Sequence, residues 1–192
     1  MTAVRSVLRG LAVILALTTA CATRVAAEPV TFHGLEFPER FAGAERVSIQ
    51  DYEKSRPGLG YSAGYRRGEM LTTVYIYDLG QTNIPAKLDT PPIKQQLERA
   101  KYELVQIQQQ RGRLESRGEF RVADSRKQPR LMCVVFEHVR HDRQSFDKFA
   151  CVGSAKGKFL KMRLTMPHRL GAVDEAKGFL KAWVDRLWPS AA

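Results

Sequence analysis

Two cysteines in the second half of the chain have a spacing that suits a covalent cross-link. Cys133 and Cys151 are 18 positions apart, and the polar stretch HVRHDRQSF lies between them. A β-hairpin centred on Asp142 would place the two thiols directly opposite each other. A bridge that closes a loop of this length stabilises a fold by about 3 kcal/mol. We therefore expect a disulfide rather than two buried free thiols. We expect no redox chemistry, because the short Cys-x-x-Cys loop is absent.

A serine lies in the stretch GYSAG (residues 60–64), which matches the Gly-x-Ser-x-Gly pattern of a nucleophilic serine. The pattern requires a strand before the serine and a helix after it, so that the hydroxyl is exposed on a strained turn. Here a Pro-Gly turn precedes Ser62, and residues 65–67 continue as a strand. His168 is the candidate base, but no sequence neighbour positions it. A hydrolase that uses Ser62 is therefore an alternative, and we expect no catalytic residue.

Two histidines, His138 and His141, form a His-x-x-His pair with acidic residues nearby. Side chains three positions apart on a strand point to opposite faces. Only a turn that begins at His141 would bring the two rings together. Two clear ligands do not make a metal site. We therefore expect ordinary hairpin histidines and no metal.

Basic residues are concentrated in the second half of the chain. Arg117 and Arg121 share strand parity, as do Lys161 and Arg163, so each pair is expected on one face of a sheet. The general interpretation is a solvated surface. The more specific one is an electrostatic docking face for an anionic partner. The residues expected to form that face are Arg117, Arg121, Arg140, Arg143, Lys148, Lys161 and Arg163.

Four tyrosines, Tyr61, Tyr65, Tyr75 and Tyr77, follow a period of two along two predicted strands. The period predicts that they line one sheet face. Such a row forms either part of the core or a shelf for a ligand. We favour the core.

The first 27 residues have the order of a secretory signal: a basic start, the apolar run GLAVILALTTA, then small residues up to Ala27. The apolar run is about 11 residues long, too short for a helix to cross a ~30 Å hydrocarbon core. We expect cleavage after Ala27 and no later transmembrane segment. A competing interpretation is a lipoprotein, because LTTAC (17–21) resembles a lipidation box with Cys21 as the modified residue. Thr18, where leucine is usual, departs from that pattern.

The charge of the chain favours anionic partners. The formal net charge is +11, and it is +8 without the first 27 residues. Outside the cytoplasm such charge suits lipid head groups, polyanionic glycans or acidic proteins. Export argues against nucleic acid. We therefore expect a periplasmic or secreted protein, or a membrane-anchored lipoprotein if Cys21 is lipidated.

The pattern of elements predicts a single α+β domain over residues 28–192. A mostly antiparallel sheet carries a mid-chain helix and a C-terminal helix packed on it. Residues 28–43 read as an extended segment. Thr90 is the candidate N-cap of the first helix, whose apolar face is Ile93, Leu97, Ala100, Leu104 and Ile107, and Gly112 is placed to end it. The predicted strands are 47–53, 61–67, 70–78, 114–123, 131–140, 146–154 and 159–166, and the last helix is 172–188.

This order of elements resembles the PsbP-like α/β/α sandwich proteins. Strand-rich halves flank a mid-chain helix, and GKFLKMRLT (157–165) runs into a terminal amphipathic helix. The sequence also resembles exported periplasmic proteins of bacteria. The resemblance implies a non-catalytic accessory or binding module, and it carries over no functional residues.

Together these observations predict a non-enzymatic periplasmic module whose basic face binds an anionic envelope component or an acidic protein. We expect no cofactor. The alternatives are a hydrolase of unrecognised type that uses Ser62, and a structural envelope lipoprotein lipidated at Cys21.

Overall fold

A computed structural model describes residues 29–189 of the chain. The expected signal peptide (1–27), its cleavage site and Cys21 lie outside the described residues. Within the described range the elements are β1 (Val30–Phe32), β2 (Leu35–Phe37), β3 (Arg40–Phe41), β4 (Ala44–Asp51), β5 (Tyr61–Arg67), β6 (Met70–Tyr77), α1 (Pro91–Gln109), β7 (Gly112–Ala123), β8 (Pro129–Arg140), β9 (Ser145–Ala155), β10 (Lys158–Pro167) and α2 (Ala172–Leu187). None of the helices in residues 29–189 is long and apolar enough to span a membrane.

Eight strands form one antiparallel sheet in the order β3-β4-β5-β6-β10-β9-β8-β7, and β1 pairs with β2 in a separate hairpin. Helix α1 connects β6, in the interior of the sheet, to β7 at its edge. The four strands from β7 to β10 are consecutive hairpins, as their short polar connections predict. The predicted α+β class with a mostly antiparallel sheet is confirmed.

The two helices cover opposite faces of the sheet, and each face has its own core. Ile93, Leu97, Ala100 and Leu104 of α1 pack against even-numbered residues of β8 and β9. On the other face, Trp183 of α2 is buried among aromatic rings, and the residues of this core include Phe37, Tyr65, Cys133, Phe149, Leu160, Met162, Leu164, Phe179 and Leu180. Within the eight-stranded sheet, alternation along a strand therefore assigns its residues to the α1 face or the α2 face, except where a β-bulge shifts the register.

The end of α1 differs from the prediction at two residues. Ile107 was expected on the apolar face, but it is 45% exposed. At 3.6 residues per turn, the position that faces the sheet after Leu104 falls closer to 108, and Gln108 is half-buried there. Gly112 does not end the helix, which stops at Gln109. Gly112 is instead the first residue of β7 and has a φ of +150°. A Cβ atom at this position would lie 2.2 Å from the carbonyl oxygen of Val139, so only glycine fits there.

The N-terminal segment is more regular than expected. Residues 30–41 form three short strands, because His33-Gly34 and Ala42-Gly43 adopt the positive φ angles of tight hairpin turns. The second turn starts β4 at Ala44, three residues before the predicted position.

The tyrosines were expected on one sheet face, and this prediction is wrong. In the register of β5 with β6, Tyr65 lies opposite Thr72, whereas Tyr75 lies opposite Ser62. Tyr61 and Tyr65 therefore face α2, and Tyr75 and Tyr77 face α1. The two tyrosines of each strand do share a face, as predicted. Whether the tyrosines of β5 lie on the same face as those of β6 depends on the register of the hairpin, which the sequence pattern does not give.

The hairpin of β8 and β9 is centred on Asp142, as predicted. Arg140 and Gln144 close the turn, and the Asp142 carboxylate accepts a hydrogen bond from the Gln144 backbone amide at 3.1 Å. Cys133 lies directly opposite Cys151, and their Sγ atoms are 2.09 Å apart, at disulfide distance. Both side chains are fully buried in the core beneath α2.

Candidate functional site

A basic cleft opens on the α1 face of the sheet, where the C-terminal end of α1 meets the tip of the β8–β9 hairpin. Its volume is about 620 Å³. The side chains that line it come from the last turn of α1 and the residues that follow it, from β8, from the β8–β9 turn, and from β9 and β10. We call it the basic cleft and define it by Arg111, His138, Arg140, Phe146, Lys148 and Thr165.

Lys148 is the cation at the centre of the basic cleft. Its ammonium group is partly buried, and no carboxylate in residues 29–189 lies within 4.0 Å of it. Its contacts are Thr165 Oγ1 at 3.5 Å and the ring of Phe146, 5.8 Å from the ring centre. Burial lowers the pKa of Lys148 to about 8, and the charges of Arg111 and Arg140 add to the effect. The site therefore holds a positive charge that the protein itself leaves unbalanced.

His138 forms part of the floor of the cleft and is 1% exposed. Neither ring nitrogen makes a hydrogen bond of ordinary geometry, although the backbone of Gln108 is close enough to favour the protonated ring. Burial lowers the pKa of His138, and the charges of Lys148 and Arg140 lower it further. A buried imidazole that makes no hydrogen bond of ordinary geometry is uncommon in proteins, so the floor of the cleft is polar and at most weakly satisfied.

The rim of the cleft carries two arginines and the second histidine. Arg140 lies over the Phe146 ring at 5.9 Å and contacts the exposed Asp142 carboxylate at 3.3 Å. Arg111 makes no ion pair with any residue in the described range. His141 begins the hairpin turn, so both histidines line the same cleft, which is the arrangement that a turn at this residue was expected to allow. No group of three or more His, Cys, Asp or Glu side chains in residues 29–189 is arranged to hold a metal.

Arg117 and Arg121 do not share a face, contrary to the expectation from parity. A β-bulge between Ser116 and Gly118 shifts the register of β7 by one residue. Arg117 pairs with Glu137 on the α2 face, whereas Arg121 lies on the α1 face and makes a bidentate contact with Asp89 at 2.9 and 3.0 Å. Both charges are neutralised, and neither residue lines the basic cleft.

Lys161 and Arg163 share the α1 face, as predicted, but they also lie outside the basic cleft. Both bind the carboxylate of Glu103 on α1, at 3.1 and 2.6 Å. Burial raises the pKa of the Glu103 carboxyl, but these two cations outweigh it and hold the pKa below its ordinary value. Lys161 also lies over the rings of Tyr75 and Tyr77, beside a smaller pocket of about 180 Å³. These cations serve to attach α1 to the sheet.

The seven predicted binding residues therefore fall into two groups. The structure brings together Arg140 and Lys148, and places Arg143 in the turn beside them with φ of +66°. The sequence analysis did not select Arg111, His138, Phe146 or Thr165 as parts of one site. Only the position of Arg111 directly after a helix end could have drawn attention to it.

Ser62 has none of the geometry of a nucleophile elbow. It lies in the second position of β5, is buried, and is 3.4 Å from the hydroxyl of Tyr52. The chain continues as a strand after it, so no strained turn exposes the hydroxyl. Ser62 faces α1, while His168 binds Asp147, whose strand position faces α2. The two side chains are on opposite faces of the sheet and cannot act together.

His168 is nevertheless positioned, which sequence reasoning did not anticipate. Its Nδ1 lies 2.9 Å from an oxygen of Asp147, which is 2% exposed. Beside it, Ser145 donates a hydrogen bond to Glu137 at 2.9 Å. The hydrogen bond to Arg117 is the main cause of a lowered pKa at Glu137. Because Ser145 bonds to Glu137 and not to His168, the group is a polar network and not a nucleophile–base pair.

Comparison with known proteins identifies the fold and no family. No protein-family model matches the chain, and no curated protein matches it in sequence. Cyanobacterial PsbP (CyanoP) from Synechocystis sp. PCC 6803 superposes with a TM-score of 0.50 and 14% identity, over 86% of this chain and 96% of that one.

Two more distant structures also match. A Pseudomonas aeruginosa protein of unknown function matches with a TM-score of 0.40 and 11% identity, over 86% of this chain and 98% of that one. The Ran-binding protein Mog1p of Saccharomyces cerevisiae matches with a TM-score of 0.35 and 13% identity, over 76% and 84%. The superposition on CyanoP shows, at the level of the fold, the resemblance to PsbP-like proteins that the order of elements led us to expect.

Proposed function

We propose that this protein is a non-catalytic module that binds an anionic ligand in the basic cleft. The observation that carries the proposal is the state of Lys148. It is a partly buried ammonium group that has no carboxylate partner among residues 29–189 and has Arg111 and Arg140 as its charged neighbours. An unpaired charge of this kind costs stability, and an anionic ligand would offset that cost.

The other cations of the α1 face support this choice by contrast. Arg121 is satisfied by Asp89, and Lys161 and Arg163 by Glu103. The protein thus neutralises these three cations of the α1 face, whereas Lys148 and Arg111 in the basic cleft make no ion pair within residues 29–189. If the cleft were only a solvated basic surface, its cations would not need to differ from the paired cations around it.

The proposed place of action is the cell envelope. We propose that residues 1–27 are a signal peptide and that residues 28–192 form the exported domain. A cysteine pair at disulfide distance suits an oxidising compartment. An anionic envelope component or an acidic protein is the partner that this location and the basic cleft favour.

The test is binding of the protein to two anionic probes, phosphatidylglycerol vesicles and a polyglutamate peptide, at 50 mM and at 200 mM salt. Replacing Lys148 with Met and Arg140 with Gln together removes two charges from the cleft. We expect this double variant to bind at least tenfold more weakly than the wild type. Binding of the wild type should weaken at the higher salt.

The matched control is the double variant Arg117→Gln and Arg121→Gln, which removes the same charge outside the cleft. We expect it to change affinity less than threefold. Equal losses in the two double variants would show that bulk charge drives binding, and the proposal would then be wrong. Absence of binding to both probes would also overturn it.

A further inference from the structure

We propose that the ligand of the basic cleft is an organic phosphate monoester, with its phosphate among Arg111, Arg140 and Lys148 and its organic part against Phe146. This rests on the proposed function and adds the chemical class of the ligand. The argument has three steps: the charge that the cleft can balance, the directions from which its donors come, and the space beside the phosphate position.

The charge of the cleft matches the charge of a phosphate monoester at pH 7. Arg111, Arg140 and Lys148 supply three positive charges, and Asp142 at the rim supplies one negative charge. The C-terminal end of α1 contributes roughly a further half of a negative charge. The remainder is between one and two positive charges. A phosphate monoester carries about −1.5 to −2 at pH 7, whereas a carboxylate, a sulfate ester or a phosphodiester carries −1.

The donors approach from several elements and so suit a tetrahedral group. Arg111 comes from the end of α1, Arg140 from β8 and Lys148 from β9, while Thr165 of β10 adds a hydroxyl. A planar carboxylate is satisfied by one guanidinium fork. The three oxygens of a phosphate group instead point in different directions and need donors from different sides. Donors from the end of α1 and from three strands meet this need.

The cleft is larger than a phosphate ion and has an aromatic wall. Its volume of about 620 Å³ lies in the range of sites for whole small molecules. The ring of Phe146 lies beneath both cations, 5.9 Å from Arg140 and 5.8 Å from Lys148. A group esterified to the phosphate would therefore meet an apolar surface directly beside the charged end.

Calorimetric titration of the full protein with phenyl phosphate tests the proposal. Phenyl sulfate has nearly the same shape and one charge fewer, and inorganic phosphate has the same charge and no ring. We expect phenyl phosphate to bind at least tenfold more tightly than phenyl sulfate and at least threefold more tightly than inorganic phosphate at pH 7. Lys148→Met should weaken phenyl phosphate binding at least tenfold, and Arg121→Gln should leave it within twofold.

The pH dependence gives a second measurement on the same complex. The charged and titratable groups around Lys148 are Arg111 after α1, His138 and Arg140 on β8, and His141 and Asp142 in the hairpin turn, with the Thr165 hydroxyl on β10. The arginines and Asp142 stay charged and His138 is neutral between pH 7 and pH 9.5, so we assign a loss of binding over this range to Lys148. We expect binding to weaken at least fivefold between pH 7 and pH 9.5 in the wild type, and not in Lys148→Met.

Two further arms distinguish the source of the monoester. Vesicles that contain phosphatidic acid present it as a lipid head group, and phosphatidylglycerol vesicles are the diester control. Preference for phosphatidic acid vesicles, or for phenyl phosphate in solution, supports the proposal and identifies the source. If phenyl sulfate binds as tightly as phenyl phosphate, or neither monoester binds, the proposal is wrong. The proposed anion-binding function would still stand after that result if the double variant Lys148→Met and Arg140→Gln binds the polyglutamate peptide more weakly than the wild type does.

Discussion

At the scale of single residues, the meaning of each cation depends on its partner and not on its type. Lys161 and Lys148 are both half-buried lysines on the α1 face. Lys161 binds Glu103 at 3.1 Å, while Lys148 contacts the Thr165 hydroxyl at 3.5 Å and no carboxylate in residues 29–189. The first lysine joins two layers of the fold, and we propose that the second binds an anionic ligand. The sequence presents both as basic residues that alternate with apolar ones on strands.

One stability prediction belongs to this scale. Lys148→Met keeps the length of the side chain but removes the unbalanced charge, so we expect it to raise the free energy of unfolding at pH 7 by about 1–2 kcal/mol. The pKa of Lys148 in the folded protein, about 8, is lower than its ordinary value. The folded state therefore binds fewer protons than the unfolded state above pH 8, and wild-type stability from this group rises with pH there.

The measurement is urea unfolding of both proteins at pH 7 and pH 9.5. We expect the advantage of the Met variant to shrink at pH 9.5, where the wild-type lysine is largely neutral. A Met variant that is less stable at pH 7 would mean that Lys148 already has a stabilising partner, and it would count against an empty anion site.

At the scale of elements, the β8–β9 hairpin carries side chains of both polar sites, the basic cleft and the network around His168. Alternation gives its two faces opposite character. His138 and Lys148 face the basic cleft, while their neighbours Glu137 and Asp147 face the network with His168. One shift in register would exchange the two sets. Cys133 and Cys151 lie directly opposite each other near the open end of the hairpin, and a bridge between them would be compatible with this register alone.

We expect the cysteine pair to contribute about 3 kcal/mol to stability, because it closes a loop of 18 residues. The double variant Cys133→Ala and Cys151→Ala should lower the free energy of unfolding by about that amount. Alanine is preferable to serine, since both positions are fully buried and a hydroxyl there would lack a partner. Urea unfolding with and without a reductant measures the effect.

The reductant arm provides the control. It should destabilise the wild type and leave the double alanine variant unchanged. A wild type that does not respond to reductant in the unfolded state would show that the two thiols are free, and the predicted bridge would then be wrong.

At the scale of the whole molecule, one sheet separates two cores and two polar sites. The α2 face holds the larger aromatic core around Trp183, and the α1 face holds the smaller core and the basic cleft. Helix α1 covers only part of its face, because its last turn ends at Gln109, before the tip of the β8–β9 hairpin. The uncovered part of the sheet is the floor of the cleft.

The location of the protein is a prediction at this scale. Mass spectrometry of the protein recovered from the envelope fraction should give an N-terminus at Glu28, as cleavage after Ala27 requires. A diacylated Cys21 would instead identify a lipoprotein. An intact N-terminus in the cytoplasmic fraction would contradict both. An Ala27→Arg variant is the control, since it should block cleavage at that position.

The sequence alone determined much of the architecture, because alternation and helical spacing report which side chains are buried. The apolar positions of β10, the four buried apolar positions of α1 and the hairpin centre at Asp142 were all predicted from the sequence. Tertiary structure decided the site. The bulge at Arg117 reversed the parity of β7, and Asp89 and Glu103 neutralised cations that are distant from them in sequence. Whether a charge is balanced depends on long-range partners, and a local pattern contains no information about them.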